Sequence, residues 1–212
     1  MRRRLGAVPR RKETAKVDKR AIKSLFEKWS DEPGLMSLEG IARMAGELGL
    51  DPETDVRVLA LCWRLGAKKP AQIDMEEWEV GMEGLACDSV EKLKGLVPTL
   101  DPAELDARSF RDFFKFVFLF SREGTHRTIE KDIVVSLLPI AICGRSLHTV
   151  PFVAFLDEAA STTTRVTLDQ WCSFLEFSDK VTTDFEGYEE DSSAWPLLLD
   201  EYVEYAKAKR GD

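Results

Sequence analysis

The chain has 212 residues, of which 44% are hydrophobic and 32% charged, with a formal net charge of −8. That length and apolar content support one large domain or two small, closely packed ones with a real core. No run of about eighteen uncharged apolar residues is present to span a membrane, and an acidic body disfavours nucleic acid as the main partner while favouring basic protein surfaces.

The charge is uneven: the first twenty residues hold nine Lys or Arg against two acidic residues. Residues 1–19 read as a flexible basic tail without the apolar stretch of a signal peptide, serving either as a nuclear localisation signal or as a solvated leader. A soluble protein of the nucleus and/or cytoplasm is expected. The Met-Arg start and Lys-Arg-Gly-Asp end carry no myristoylation or prenylation motif, so membrane anchoring is not expected.

Ile22, Leu25, Phe26 and Trp29 share one helical face. The turn cluster Ser30-Asp31-Glu32-Pro33-Gly34 stops that helix, and a second starts near Ser37 with Leu38, Ile41, Ala45 and Leu48 on one side. Asp51-Pro52-Glu53 reads as an N-cap with proline at the first helical position, leading into Val56, Leu59, Ala60 and Trp63. Asp74 and Glu77 have capping-box spacing at the head of a helix bearing Met75, Trp78, Met82 and Leu85. Further on, a Ser109-capped helix carries Phe110, Phe113, Phe114, Val117 and Phe118, and Ile133 to Leu138 follow. Phe152, Phe155 and Leu156 then precede a Thr167-capped helix with Trp171, Phe174 and Leu175.

Met36 and Ile73 are lone apolar residues standing just before capping residues, 37 positions apart, and Ile129 and Val166 repeat that spacing. Each pair reads as one rung of a short strand pairing between two helix-loop-helix segments, the pattern of paired EF-hands. The expected fold is therefore all-α: two tightly packed EF-hand-like units, about 20–98 and 102–206, with a C-terminal tail at 207–212. Calcium sites are not expected. The loops lack the alternating oxygen ligands and central glycine that the ion requires, and Lys68, Lys69, Arg122 and Arg127 stand where ligands belong.

Catalytic signals are weak. Cys62, Cys87, Cys143 and Cys172 form no C-x-x-C pair, and His126 and His148 are the only histidines, so no zinc centre, other metal or cofactor is expected. The thiols read as small buried hydrophobes in a reducing compartment. Neither histidine has a neighbouring nucleophile pattern, and no phosphate-binding glycine loop occurs. No catalytic residue is nominated.

Three segments carry a family resemblance: Trp78-Glu79-Val80-Gly81-Met82-Glu83-Gly84-Leu85-Ala86-Cys87-Asp88-Ser89-Val90-Glu91-Lys92-Leu93-Lys94; the aromatic run Phe110 to Phe120; and Trp171 to Phe177 continuing into Tyr188 to Glu204, with Ala194-Trp195-Pro196-Leu197-Leu198-Leu199-Asp200 inside it. Together they resemble the defective-in-cullin-neddylation family and its cullin-binding PONY domain over residues 20–206. The resemblance implies a non-catalytic, co-E3-type scaffold of the ubiquitin-like protein conjugation pathway. Such a scaffold promotes transfer of the modifier from its E2 to a cullin within a cullin-RING ligase complex, with the thioester cysteine and the zinc RING on partner proteins.

That resemblance also implies two sites. Asp169, Ala194 and Asp200 match a cullin-binding patch for the basic winged-helix region at the cullin C-terminus, where carboxylates accept charge-assisted hydrogen bonds and a small alanine permits close approach. Met82, Leu85, Cys87, Leu96, Phe110 and Phe113 are nominated for an apolar pocket that receives the acetylated N-terminus and helix of the neddylation E2. The chain departs from the family pattern at Ile133 to Pro139, where Pro139 should end or kink a helix, and in an acidic loop, Asp184 to Ser193, one residue longer than usual. Two rival readings are a degenerate EF-hand-like adaptor for an amphipathic helix of an unrelated partner, and a hydrolase whose site assembles from distant residues.

Overall fold

In a computed structural model the described residues are 17–158, 162–189 and 195–211; most of the basic tail, and Ala194, lie outside them. The architecture is helical, with only two short two-stranded pairings among the described residues. The first helix, α1 (Lys19–Trp29), is capped by Asp18, whose carboxylate accepts the Arg20 and Ala21 N–H groups. It buries Ile22, Phe26 and Trp29, the stripe its spacing demands. Helix α2 (Leu38–Leu48) starts at its cap Ser37 as expected.

Two start points differ from the expectation. Helix α3 (Val56–Leu65) is capped by Asp55, not Asp51. Asp51 closes a turn of its own, accepting the Glu53 N–H at 2.9 Å and the Thr54 N–H at 3.2 Å, and Pro52 belongs to that turn. Likewise Asp106, not Ser109, caps α6 (Ala107–Phe120), and the Ser109 hydroxyl donates to Asp106 at 2.6 Å. In both places more than one capping residue stands nearby, and the cap is the aspartate whose carboxylate accepts first-turn N–H groups: Asp55 takes that of Arg57, and Asp106 those of Arg108 and Ser109.

Strands β1 (Leu35–Met36) and β2 (Ile73–Asp74) pair antiparallel with Met36 opposite Ile73, joining α1 and α2 to α3 and α4 (Met75–Gly84). Both of those residues are fully buried. In the second half, β3 (Thr128–Glu130) and β4 (Arg165–Thr167) pair with Ile129 opposite Val166, joining α6 and α7 (Lys131–Ala141) to α8 (Thr149–Asp157) and α9 (Leu168–Lys180). Between the halves lie α5 (Val90–Leu96) and two single 3₁₀ turns. The last helix, α10 (Leu197–Arg210), runs past the tail boundary drawn at 206. Pro139 neither stops nor immediately breaks α7, which continues to Ala141 before ending.

The repeat extends to the core. Trp78, fourth residue of α4, donates its indole N–H to Ile22 O of α1 at 2.9 Å. Trp171, fourth residue of α9, donates to Phe114 O of α6 at 2.8 Å. Each indole thereby satisfies its donor inside a buried cluster while tying the fourth helix of a half to its first, α4 to α1 and α9 to α6. Capping boxes at Asp74 with Glu77 and at Thr167 with Gln170 set the start of both helices. The helices of the first unit also approach closely: a Cβ added at Gly81 would lie 2.5 Å from Leu65 O.

The two halves are joined by packing and by hydrogen bonds. Trp63 of α3 meets Phe113 of α6 edge-on at 5.7 Å between ring centroids. Phe120 O accepts the Ala71 N–H at 2.9 Å. This interface brings the end of α6 against α2 and α3, and so shapes the groove described next.

Candidate functional site

Asp200 lies in the first turn of α10, where a carboxylate is favoured by the helix N-terminus. It is half-buried, and its Oδ1 accepts the Tyr188 hydroxyl at 2.7 Å. Tyr188 is held in turn against Phe177 of α9 at 6.3 Å between ring centroids, with the Lys207 ammonium 5.7 Å from its ring. Trp195 packs edge-on against the same Phe177 at 5.4 Å. Asp169 stands exposed in the first turn of α9, about 12 Å along the helix axis from Phe177 at 1.5 Å per residue. Phe177 thus links the supports of Asp200 to α9, while Asp169 presents its carboxylate from the opposite end of that helix. Ala194, the third residue of the expected patch, lies outside the described residues.

Beneath this face is a buried histidine that residue spacing did not single out. His148 bridges three elements: one ring nitrogen meets Val181 O at 2.9 Å after α9, and the other meets the Tyr202 hydroxyl of α10 at 2.9 Å. Since Val181 O can only accept, the nitrogen facing it carries a proton; in the neutral imidazole the other nitrogen is the acceptor for the Tyr202 hydroxyl. Burial pushes the Tyr202 hydroxyl well above the ordinary tyrosine range, so it stays a neutral donor. This arrangement fixes α10, and with it Asp200, relative to the end of α9.

The six residues nominated for an E2 pocket are placed in the first unit and at the junction. Met82, Cys87, Phe110 and Phe113 are buried, and Leu85 and Leu96 are half-buried against the core. An open apolar groove of about 370 Å³ lies elsewhere, between α2 and α3. Leu38, Ile41 and Ala42 form one wall, Val58 and Leu59 the other, Phe120 closes an end, and Glu39 and Glu53 stand at its edge. The Asp51 turn, with Pro52 in it, holds the loop that bounds the groove. Leu38 is 62% exposed at its rim, an arrangement that periodicity alone assigns to the core face.

The cysteines offer no ready thiolate. Burial raises all four thiols, Cys62 to about 12 and Cys143 to about 11. Two features can serve binding: the Asp200 carboxylate, held by Tyr188, and the apolar groove edged by Glu39 and Glu53.

A family model described as cullin binding matches residues 92–205, more than half of the chain. The chain belongs to the DCN1-like, cullin-binding family. Within the family match lie Asp169 and Asp200, together with Leu96, Phe110 and Phe113, whereas Met82, Leu85 and Cys87 precede it. The chain is 33% identical over 187 residues to DCN1-like protein 5 of Homo sapiens, covering 87% of this chain and 76% of that protein. It is 35% identical over 170 residues to DCN1-like protein 4 of Danio rerio and 32% identical over 199 residues to DCN1-like protein 4 of Homo sapiens. Those matches cover 80% and 93% of this chain but only 59% and 66% of the two relatives. The DCN1-like chain thus spans under two thirds of the length of these longer relatives.

Proposed function

We propose that the chain is a non-catalytic co-E3 scaffold that binds a cullin and the neddylation E2 and promotes transfer of the ubiquitin-like modifier onto the cullin. The observation that carries this reading is the cullin-binding family match over residues 92–205, which contains both carboxylates of the acidic face. On this reading Asp169, Ala194 and Asp200 meet the basic winged-helix region at the cullin C-terminus through charge-assisted hydrogen bonds. The acetylated N-terminal helix of the E2 takes the groove between α2 and α3, which is open, apolar and rimmed by Glu39 and Glu53. The buried members of the nominated set, Met82, Cys87, Phe110 and Phe113, would be reached only after side chains move. Holding E2 and cullin on one body raises the effective concentration of the reacting pair and restricts unproductive orientations. Both nucleus and cytoplasm are compatible sites of action for such a scaffold.

The test is calorimetry at moderate salt between the purified chain and cullin C-terminal winged-helix domains, with Asp169→Lys and Asp200→Lys as controls. The expected result is measurable affinity that both charge reversals abolish without unfolding the protein. Absence of binding to any cullin would instead favour the second reading, an adaptor whose groove takes an amphipathic helix of an unrelated partner. Leu38→Glu, at an exposed groove position, separates the two sites: it should weaken an acetylated E2 peptide and leave cullin affinity intact.

A further inference from the structure

Tyr188 is the hydrogen-bond donor to Asp200, and the loop that carries it is unusually constrained. Gly187 has φ +89°, and a Cβ there would lie 2.7 Å from Lys180 O, so only glycine fits beneath the preceding helix end. Phe185 adopts the left-handed region at φ 62° while burying its ring beside His148 and Tyr202. The Thr182 N–H donates to Glu186 O at 3.0 Å and the Phe185 N–H to Thr182 O at 2.9 Å, closing the turn. A non-glycine residue accepts such a backbone only where the surroundings hold it there. What the loop delivers is the Tyr188 hydroxyl, 2.7 Å from Asp200 Oδ1. Among the described residues no donor is assigned to the second oxygen, Oδ2.

We propose that Tyr188 is a positioning residue of the acidic face, holding the Asp200 carboxylate in one rotamer and occupying Oδ1 so that a partner's Lys or Arg N–H is received at Oδ2. This inference rests on the cullin-binding reading of Asp200. A carboxylate restrained before binding loses less conformational freedom when the complex forms, and a donated phenol hydrogen bond leaves its negative charge in place for the incoming cation. Tyr188 acts through Asp200 and not by itself meeting the partner.

The experiment measures binding of the full chain to a purified cullin winged-helix domain by calorimetry for wild type, Tyr188→Phe, Asp200→Asn and the double variant. Tyr188→Phe keeps the ring against Phe177 and removes only the hydroxyl. Expected are a loss of about tenfold in affinity for Tyr188→Phe, in the range of a hydrogen bond to a charged group, a midpoint of thermal unfolding that does not move, and no further loss when Tyr188→Phe is added to Asp200→Asn. Full additivity in the double variant, or a fall in the unfolding midpoint that accounts for the weaker binding, would make Tyr188 merely structural and overturn the inference. So would wild-type affinity in Tyr188→Phe while Asp200→Asn binds weakly, an outcome that leaves the cullin reading standing. Wild-type affinity in Asp200→Asn would overturn both.

Discussion

The Arg145 guanidinium lies over the face of the Phe110 ring, 3.9 Å from its centroid, and reaches from the loop after α7 to the start of α6. The same group donates to the carbonyls of Leu105 and Ala103, the latter at 2.7 Å, capping the 3₁₀ turn that connects the two halves. One planar cation therefore satisfies backbone acceptors and stacks on an aromatic ring at once, a combination that lysine cannot reproduce. It also covers one face of Phe110, a buried residue of the α6 apolar stripe.

Arg145→Lys is expected to destabilise the protein by about 1–2 kcal/mol, the range for lost hydrogen bonds and a lost cation–π contact. Urea denaturation followed by circular dichroism checks this. A variant as stable as wild type would show that the stack and the fork contribute nothing net.

Gly81 and Gly46 form a matched pair in two helices. A Cβ at Gly81 would lie 2.5 Å from Leu65 O, whereas nothing lies within 4 Å of one at Gly46. Gly81→Ala forces α3 and α4 apart and is expected to destabilise by about 1–3 kcal/mol, as overpacking does. Gly46→Ala, in an exposed helix interior, is expected to stabilise by about 0.5–1 kcal/mol through reduced freedom of the unfolded chain. Opposite shifts in the thermal midpoints of the two variants are the readout.

The Glu47 carboxyl is held below the ordinary glutamate range, first by the Lys28 ammonium and then by the Trp29 indole N–H at 3.0 Å. A depressed folded value means that its contribution is present above the unfolded value, about 4.3, and is lost as pH falls through the lower folded value. Glu47→Gln should therefore lower the thermal midpoint at neutral pH and show a shallower further decline than wild type below about pH 4.3. Parallel curves for the two proteins across that range would refute this assignment.

Cys62 is fully buried, with its thiol raised to about 12 by loss of solvation. Alkylation followed by mass spectrometry at about pH 8, an ordinary thiol pKa being about 8.5, should leave Cys62 unmodified in the native protein and modify it fully once unfolded. Native labelling of Cys62 at the rate of the half-buried Cys172 would contradict its burial.

The sequence by itself determined the elements whose causes are local. The apolar stripes of α1, α4, α6 and α9, the caps Ser37, Asp74 and Thr167, and the opposition of Met36 to Ile73 and Ile129 to Val166 are all set by spacing within one repeat, so they could be read from residue order. Even here, competition among close candidates was decided by neighbours: Asp55 over Asp51, and Asp106 over Ser109. Asp169 and Asp200 were nominated through family resemblance, not through any spacing between them, and both fall within the family match. Only the tertiary structure decided the rest. Tyr188 reaches Asp200 across a folded loop, His148 joins residues 33 and 54 positions away, and the groove is assembled from α2, α3 and the end of α6. Those relationships depend on which helix faces meet. A side chain's own segment specifies that it is apolar or polar, whereas packing against distant segments specifies whether it becomes core, support or surface.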